Sequence, residues 1–268
     1  MIHQDNKGLS ASRNVGLDII TGDVVAFLDS DDVYDIEFIQ KMTGMMNREE
    51  VGIVICKYST HHDDGKQNMD KAIQPFIDQG IYGRVQSLRF LADGLIDFHA
   101  WNKVYRSELW KDIRFPVGYV YEDISTIFRV FDIYNLVCVI DSPLYQYRKR
   151  KGSITQIKRF KNIIDQQLAY FRFESFMQLH IPEIFAKEQI EKIRQPRINL
   201  LIYLYGKQEK GWDISEEEIR QNILDIIRET RFKYCTILEI ICYGMILYCP
   251  TLFKMIFLKV YRRLRDTI

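Results

Sequence analysis

A burst of acidic residues follows directly on an apolar run, and this junction constrains the fold more than any other feature of the chain. The run is Val24–Leu28, and the acids that follow it are Asp29, Asp31, Asp32 and Asp35. An unbroken apolar run of this length predicts a strand covered on both faces in a parallel sheet. Asp29 and Asp31 stand two positions apart, so their side chains project to the same side. The junction therefore predicts an α/β fold with carboxylates at the end of a strand, where such sheets bind ligands.

Helices and strands alternate around this junction in the first half of the chain. Helices are predicted over about 10–21, 35–48, 84–95 and 122–134, and further strands over 51–58 and 136–141. Ser10 is suited to cap the first helix and Gly22 to end it. From about residue 157 onward the pattern is helical without new strands. We therefore predict an α/β domain over residues 1–155, followed by a helical region over 156–268.

The end of the helical region is strongly apolar and closes on basic residues. Tyr234–Cys249 and Thr251–Arg265 flank Pro250, and the second segment carries Arg262, Arg263 and Arg265. A spanning helix needs about 20 uninterrupted apolar residues, which neither segment provides. An apolar face next to a basic cluster suits a helix on an anionic membrane surface. A hairpin packed on the first domain or a dimer contact fits equally well, so the role of segment 234–265 stays open.

The charge balance and cysteine pattern exclude some classes of protein. Thirty-seven Lys and Arg residues face 36 Asp and Glu residues, giving a net charge of +1. Nucleic-acid-binding domains usually carry a marked basic excess, so we expect no nucleic-acid partner. Five cysteines form no CxxC pair, which argues against a zinc site and favours a reducing compartment. The opening residues include no apolar signal segment, and we expect a cytoplasmic protein, with the cytoplasmic face of the membrane as a variant.

The carboxylates after the strand are expected to bind a divalent cation. Two carboxylates this close raise each other's pKa unless a cation such as Mg²⁺ or Mn²⁺ lies between them. Magnesium is commonly held by one or two carboxylates together with substrate phosphates. A solvated acidic turn that caps the next helix is the alternative. The segment "FLDSDDV" also fits two enzyme patterns: a phosphatase with a nucleophilic first aspartate, and a nucleotide-sugar transferase with a metal-binding DxD.

The flanking sequence favours the second enzyme pattern. Asn6–Asp32 (NKGLSASRNVGLDIITGDVVAFLDSDD) closely resembles the segment that leads into the DxD motif of family 2 glycosyltransferases. The resemblance continues, in the family's order, at Ala100–Trp110, Gly118–Phe131 and Pro143–Thr155. It implies the GT-A fold and an inverting transfer from a nucleoside-diphosphate sugar, with UDP favoured, to a hydroxyl of a saccharide or lipid-linked acceptor. It also implies a place in bacterial cell-surface polysaccharide synthesis.

The resemblance also implies roles for individual acidic residues. Asp31 is expected to coordinate the metal directly, with Asp29 supporting it through nucleotide or water contacts, and Asp32 able to substitute in either role. The family's ED motif falls on Glu122 and Asp123. Asp123 is expected to be the base that deprotonates the acceptor hydroxyl, and Glu122 to position the acceptor. Two acids placed favourably at a helix N-terminus are the structural alternative.

Five further residues are expected to contact substrate: Arg13, Asn14, Trp101, Lys103 and Arg148. By the resemblance, Arg13 and Asn14 shape the donor pocket, although Arg13 could instead pair with the carboxylate cluster. Lys103 and Arg148 are cations suited to diphosphate or acceptor contacts. Trp101 could stack on a sugar, but a tryptophan among apolar neighbours is more often part of the core. His99 is interpreted as structural.

The chain departs from the family at its start. Family members open with two strands that help to hold the nucleotide base and ribose, and neither motif is present here. Since one βαβ unit takes about 30 residues, we expect roughly 50–60 residues to be missing before Met1. A remnant that binds a partner or a membrane without catalysis is therefore the non-enzymatic alternative.

Overall fold

The computed structural model describes residues 2–49, 51–62, 75–149, 160–182, 237–253, 255 and 256, and the isolated positions 215, 217, 220, 221 and 224. Contacts divide the chain into two compact units, Met1–Lys158 and Arg159–Ile268. In the first unit the described elements are α1 (Leu9–Asp18), β1 (Val24–Ala26), β2 (Val33–Tyr34), α2 (Phe38–Glu49), β3 (Ile53–His62), β4 (Gly80–Gly83), α3 (Arg84–Ala92), β5 (Lys103–Arg106), α4 (Ile127–Ile133) and β6 (Leu136–Lys149). A single turn of 3-10 helix at Ser107–Trp110 follows β5.

The strands of the first unit form one mixed sheet in the order β1-β5-β3-β6-β2, with β4 paired to β6 beside this path. Among the strands that the structure describes, the central pair, β3 with β6, is the only parallel one. The other pairs among the described strands are antiparallel. The sheet therefore combines one parallel crossover, as predicted for an α/β fold, with short antiparallel strands that the sequence pattern did not indicate.

The strand before the acidic turn differs from its prediction in partner and length. Its only partner among the described residues is β5, and the two strands are antiparallel, with Val25 opposite Tyr105. The strand ends at Ala26, and Leu28 is 49% exposed. Only Val25 and Phe27 of the run are buried, so burial alternates as in a strand with one covered face. A continuous apolar run was a misleading signal here.

The strand β6 extends to Lys149, beyond the predicted end at Asp141, and it contains an irregularity near that position. The register with β3 shifts between Cys56, opposite Ile140, and Lys57, opposite Pro143. Proline lacks the donor that a ladder needs and is tolerated at such irregularities. Beyond Pro143 the strand continues and pairs with β2 through Tyr145 and Gln146. This second half of β6 therefore lies directly beside the acidic turn.

The bounds of the helices differ from their predictions, most of all at α1 and α4. The first helix ends at Asp18 rather than at Gly22, and Gly8, with φ of 88°, precedes it. Ser10 is buried inside the helix and is not its cap. The predicted helix over 122–134 begins only at Ile127. The acidic pair Glu122–Asp123 therefore lies in the turn before α4 and not at a helix start.

The core of the first unit forms where α2 packs on the sheet. Phe38, Met42 and Met46 occupy one face of α2 at helical spacing and are fully buried against β3 and β6. Val54 and Cys138 from the paired central strands belong to the same cluster. Burying each large apolar side chain contributes about 1.5–3 kcal/mol. This packing fixes the central strands, of which β6 contacts the acidic turn through Tyr145.

The second unit is helical where it is described. It contains α5 (Phe160–His180) and α6 (Ile237–Tyr248). Among the described residues, no helix has the length and apolar character that crossing a bilayer requires. Ile237 and Ile241 on α6 are 78% and 50% exposed, so apolar side chains of this helix do face outward. The basic residues at 262–265 lie outside the described part of the chain.

Candidate functional site

A single arginine joins the two acidic motifs. Arg13 of α1 donates from Nη2 to Oδ1 of Asp29 at 2.8 Å and from Nη1 to Oε1 of Glu122 at 2.7 Å. Glu122 lies 109 positions further along the chain, so folding brings the motifs together. The Arg13 side chain is only 8% exposed. Pairing of Arg13 with the carboxylate cluster, the alternative to a role in the donor pocket, is present in the structure.

The surroundings of Arg13 hold its charge in place. Its guanidinium lies 5.2 Å from the ring centre of Phe115 and 5.8 Å from that of Phe27, at cation–π distance. Burial acts to lower the pKa of Arg13, but the neighbouring Asp29 and Glu122 carboxylates outweigh it and raise the pKa. Arg13 is therefore a permanently charged bridge between the two motifs.

Asn14, the neighbour of Arg13, has a structural contact. Its Nδ2 donates to the Phe115 carbonyl at 2.8 Å, and its Oδ1 accepts from the Phe115 N–H at 2.8 Å. Both ends of the amide therefore hold the segment after the 3-10 turn against α1. The predicted contribution of Asn14 to a donor pocket stays a prediction, and the structure shows that its amide positions Phe115.

Asp32 ties the acidic turn to β6. The Tyr145 hydroxyl donates to its Oδ2 at 2.5 Å, and the backbone N–H of Arg148 donates to its Oδ1 at 2.8 Å. Burial, reinforced by Asp29 and Asp31, raises the pKa of Asp32 despite these hydrogen bonds. Each carboxylate oxygen accepts one hydrogen bond here, and the expectation that Asp32 could replace Asp31 as a metal ligand stays a prediction.

Asp29 and Asp31 fit a cation site that protein and substrate share. Asp31 is partly exposed in the turn, and the Asp29 side chain is 25% exposed. Among the residues that the structure describes, no three His, Cys, Asp or Glu side chains are grouped to hold a metal ion. Two carboxylates with the remaining ligands from phosphate and water are a common Mg²⁺ arrangement. The donor set thus suits a metal–diphosphate complex and not an ion enclosed by protein alone.

The turn that presents Glu122 and Asp123 has an unusual backbone. Tyr121 has a φ of 60°, in the left-handed region that few non-glycine residues adopt. The Asp123 carbonyl then accepts from the N–H groups of Thr126 and Ile127, which closes the turn into α4. Such strained positions persist only where the surrounding structure fixes them. Here the strain lies one residue before the acidic pair.

The two acids of this pair have different electrostatic surroundings. Burial and the Asp123 charge raise the pKa of Glu122 to about 7, although Arg13 acts against the shift. Burial would also raise the pKa of Asp123, but His99, the Ile124 N–H and Arg13 outweigh it and lower that pKa. Asp123 is therefore ionised at neutral pH, the state in which a carboxylate can accept a proton.

Two side chains of the segment before β5, Trp101 and His99, have surroundings that decide between their sequence interpretations. Trp101 is 5% exposed and stacks on Tyr145 at 4.3 Å and on His99 at 4.7 Å. It is a core residue, and the prediction that it stacks on a sugar is not supported. His99, interpreted as structural, reaches the site, with its Nδ1 3.5 Å from Oδ2 of Asp123. No spacing rule could have paired residues from these separate loops.

Lys103 does not face a ligand. It is fully buried, and its Nζ donates to the His99 carbonyl at 2.6 Å and to Oδ1 of Asn102 at 2.7 Å. Burial lowers its pKa to about 8. The expectation of a direct diphosphate contact is therefore not supported, because the ammonium is used to hold the loop. The exposed Arg148 side chain lies on β6 beside Asp32, and its predicted ligand contact stays a prediction.

Comparison with known proteins identifies the family. Residues 1–114 match the family model described as glycosyl transferase family 2. The chain carries a family 2 glycosyltransferase domain. EpsH of Bacillus subtilis (strain 168), assigned as a glycosyltransferase, is 31% identical over 177 residues, covering 64% of this chain and 50% of EpsH. Glycosyltransferase GlyG of Streptococcus pneumoniae serotype 4 is 26% identical over 162 residues, covering 58% of this chain and 53% of GlyG.

These matches choose between the two enzyme patterns of the DxD segment, since they favour a glycosyltransferase over a phosphatase. They do not extend over whole proteins. The chain spans about half the length of the curated relatives EpsH and GlyG.

Solved structures establish the fold. The crystal structure of S. aureus TarS 1–349 in complex with UDP superposes with a TM-score of 0.57 at 18% identity, covering 83% of this chain and 60% of that one. The complex of the same protein with UDP-GlcNAc gives a TM-score of 0.52 at 17% identity, with 92% and 72% coverage. The predicted GT-A fold class is confirmed.

Proposed function

We propose that this chain belongs to an inverting, metal-dependent glycosyltransferase of the hexosyltransferase type, which transfers a sugar from a nucleoside diphosphate to an acceptor hydroxyl. The observation that carries the proposal is the buried bridge of Arg13 between Asp29 and Glu122. It brings a turn suited to a metal–diphosphate complex beside a turn with an ionised carboxylate. Inverting transfer needs these two functions on opposite sides of one sugar carbon.

The described residues supply the proton transfer. Asp123 accepts the proton of the acceptor hydroxyl while that oxygen forms its bond to the anomeric carbon. The bond from this carbon to the phosphate oxygen breaks, and its electron pair leaves with the diphosphate. Glu122, held by Arg13 at 2.7 Å, positions the acceptor. Negative charge thus moves from the Asp123 side of the site to the Asp29 side.

The donor is proposed to be a UDP-sugar. UDP and UDP-GlcNAc complexes are known for TarS, whose fold this chain shares, and the uridine preference is carried over from that likeness. Asp31, with support from Asp29, would hold Mg²⁺ or Mn²⁺ against the diphosphate. When bound, the ion acts as a Lewis acid that stabilises the leaving diphosphate. The exposed Arg148 is a further cation for the same phosphates.

The acceptor is proposed to be a saccharide, free or lipid-linked, in a pathway of bacterial cell-surface polysaccharide synthesis. Outward-facing apolar residues on α6, such as Ile237 and Ile241, support peripheral contact with the cytoplasmic face of a membrane. Binding to vesicles containing anionic phosphatidylglycerol, lost in an Ile237→Asp, Ile241→Asp double variant, would support this contact. Equal binding by the double variant would contradict it.

Release of UDP from a panel of UDP-sugars, with Mn²⁺ and candidate acceptors, tests the function. We expect acceptor-dependent release by the wild-type chain and a loss on the order of 10²-fold or more in Asp123→Asn. Donor binding should persist in this variant, because Asp123 is on the acceptor side. Donor binding without turnover in the wild-type chain would instead support the binding remnant considered from the sequence. Absence of both would contradict the glycosyltransferase proposal.

A further inference from the structure

His99 stands between two carboxylates at the edge of the site. Its Nδ1 lies 3.5 Å from Oδ2 of Asp123, and its Nε2 lies 3.8 Å from Oδ2 of Asp97. The ring is 40% exposed, whereas the Asp123 side chain is only 19% exposed. The histidine therefore lies on the solvent side of the carboxylate. Neither the family resemblance nor the spacing of the motifs indicates this arrangement.

Three contacts surround His99, two to its ring and one to its backbone carbonyl. The ring stacks on Trp101, with centroids 4.7 Å apart and planes 14° from parallel. The buried ammonium of Lys103 donates to the His99 backbone carbonyl at 2.6 Å. Asp97, which also receives a 3.4 Å hydrogen bond from the Tyr58 hydroxyl, faces the far nitrogen. The buried Lys103 and Trp101 therefore support His99, through its backbone carbonyl and its ring respectively.

We propose that His99 is the positioning residue of the base: its Nδ1–H holds Oδ2 of Asp123, and Asp97 holds the opposite ring nitrogen. The inference rests on the proposed role of Asp123. The other oxygen, Oδ1, accepts from the Ile124 N–H at 2.8 Å, so the carboxylate is held at both ends. Catalytic hydrogen bonds are often long before substrate arrives and shorten in the complex.

The contact also explains the ionisation of a carboxylate that sits beside another acid. His99 is the largest influence that lowers the pKa of Asp123. The other titratable and charged groups that act on Asp123 or His99 are Arg13, Asp97, Lys103, Tyr105, Tyr121 and Glu122. Loss of the imidazole should therefore raise the pKa of Asp123 and misorient its carboxylate.

Two substitutions distinguish the effect of the Nδ1–H group of His99 from the effect of its aromatic ring. His99→Phe keeps an aromatic ring on Trp101 but removes the Nδ1–H donor, and His99→Asn removes the ring but keeps an N–H near the Nδ1 position. The exposed His3, as His3→Phe, is the matched control. In His99→Phe we expect kcat to fall on the order of 10²-fold, since small misplacements of a catalytic group have such effects. The KM for the donor should stay unchanged, and His99→Asn should recover much of kcat.

The pH readout distinguishes positioning from packing. The acidic limb of the kcat profile should move to higher pH in His99→Phe and move less in His99→Asn, which keeps the N–H donor but not the charge. The Asp123 carboxyl, titrated by ¹³C NMR and assigned with Asp123→Asn, should show the same upward change in His99→Phe whether or not the protein transfers sugar. If His99→Phe does not fold, the same comparison between His99→Ala and His99→Asn replaces it.

Each outcome decides one of the two proposals. An unchanged Asp123 pKa in the variant without a donor, or equal loss of kcat in the Phe and Asn variants, overturns the role of His99. A wild-type chain that shows the low Asp123 pKa and its rise in His99→Phe, but transfers no sugar, supports the contact and contradicts the proposed function. Sugar transfer with a His99-independent pH profile contradicts only the inference.

Discussion

Arg13 is the residue on which the geometry of the site depends most. Removing one partner from a buried ion pair leaves uncompensated charge and costs about 3–5 kcal/mol. We expect Arg13→Met to lower the free energy of unfolding by this amount, because Asp29 and Glu122 would both lose their counter-ion. The stability of Arg13→Lys should fall between that of the wild type and that of Arg13→Met, since lysine keeps the charge but cannot form both hydrogen bonds of the guanidinium.

Urea unfolding monitored by circular dichroism measures this difference. The exposed ion pair of Lys41 with Glu37, whose side chains are 43% and 54% exposed, provides the matched control. Lys41→Met should change the free energy of unfolding by less than about 0.5 kcal/mol. Similar effects of Arg13→Met and Lys41→Met would show that the buried bridge does not hold the two motifs together.

Glu122 gives the stability of the protein a predictable pH dependence. Its pKa rises from 4.5 to about 7 on folding, through burial and the Asp123 charge. Between these values the folded state binds more protons than the unfolded state, so the stabilisation is complete below pH 4.5 and is lost as the pH passes 7. Glu122→Gln should remove this decline, by at most about 1.4 kcal/mol per pH unit.

Denaturation curves at several pH values between 4.5 and 8, without metal, test this expectation. Glu37→Gln, at an exposed position, should retain the wild-type slope. If the unfolding free energy of Glu122→Gln declines as steeply as that of the wild type, Glu122 does not titrate in this window.

At the scale of residues, the sequence predicted which charged residues lie near the site better than it predicted the contacts that they make. In the structure Arg13 joins Asp29 of the DxD motif to Glu122 of the ED motif. Lys103 was expected to bind phosphate and is buried, because nothing in the letters shows that its ammonium meets the His99 carbonyl. Asp32 was grouped with the metal ligands, but the Tyr145 hydroxyl that engages it comes from a strand 113 positions away. Such contacts depend on tertiary packing, which spacing alone does not encode.

At the scale of elements, two glycines predict opposite effects of the same substitution. A Cβ on Gly52 would lie 2.3 Å from Cγ of Tyr134, whereas a Cβ on Gly44, inside α2, would meet nothing within 4 Å. Gly52→Ala should therefore destabilise the protein by about 1–3 kcal/mol through overpacking where β3 begins. Gly44→Ala should stabilise it by roughly 0.5–1 kcal/mol, since alanine favours the helix.

Thermal unfolding of the two alanine variants, side by side, measures both effects. The Gly52 variant should melt below the wild type and the Gly44 variant above it. A Gly52→Ala variant as stable as the wild type would mean that Tyr134 does not close this end of the sheet. If Gly52→Ala is destabilised by contact with Tyr134, adding Tyr134→Ala to that variant should relieve the clash.

Long, periodic elements were predictable and short ones were not. The pattern located α2 and β3 to within a few residues, because each buries a regular set of apolar side chains. It missed β2, β4 and β5, which have two, four and four residues. These strands form because β6 and β3 offer unpaired backbone groups for hydrogen bonding. Strands of two to four residues are too short to show a periodic pattern of apolar side chains. The predicted strand over 136–141 ends at Asp141, whereas β6 continues past the irregularity at Pro143 to Lys149.

At the scale of the whole molecule, the fold class followed from motif order and not from periodicity. The apolar run alone indicated a parallel strand, and β1 is antiparallel to its one described partner. The four segments that resemble family 2 glycosyltransferases led to the GT-A fold, which the solved TarS structures support. A predicted boundary at 155 and the contact boundary after Lys158 lie close together. The helical tail carries little family signal, so its role depends on experiment.

The most direct measurement of the central claim is calorimetric titration of UDP into the protein with and without Mn²⁺. The account predicts binding that depends on Mn²⁺ in the wild type, falls at least about tenfold in affinity in Asp31→Asn, and is unchanged in the exposed control Asp141→Asn. Binding of UDP that is equally tight without the cation, or unaffected by Asp31→Asn, would contradict it.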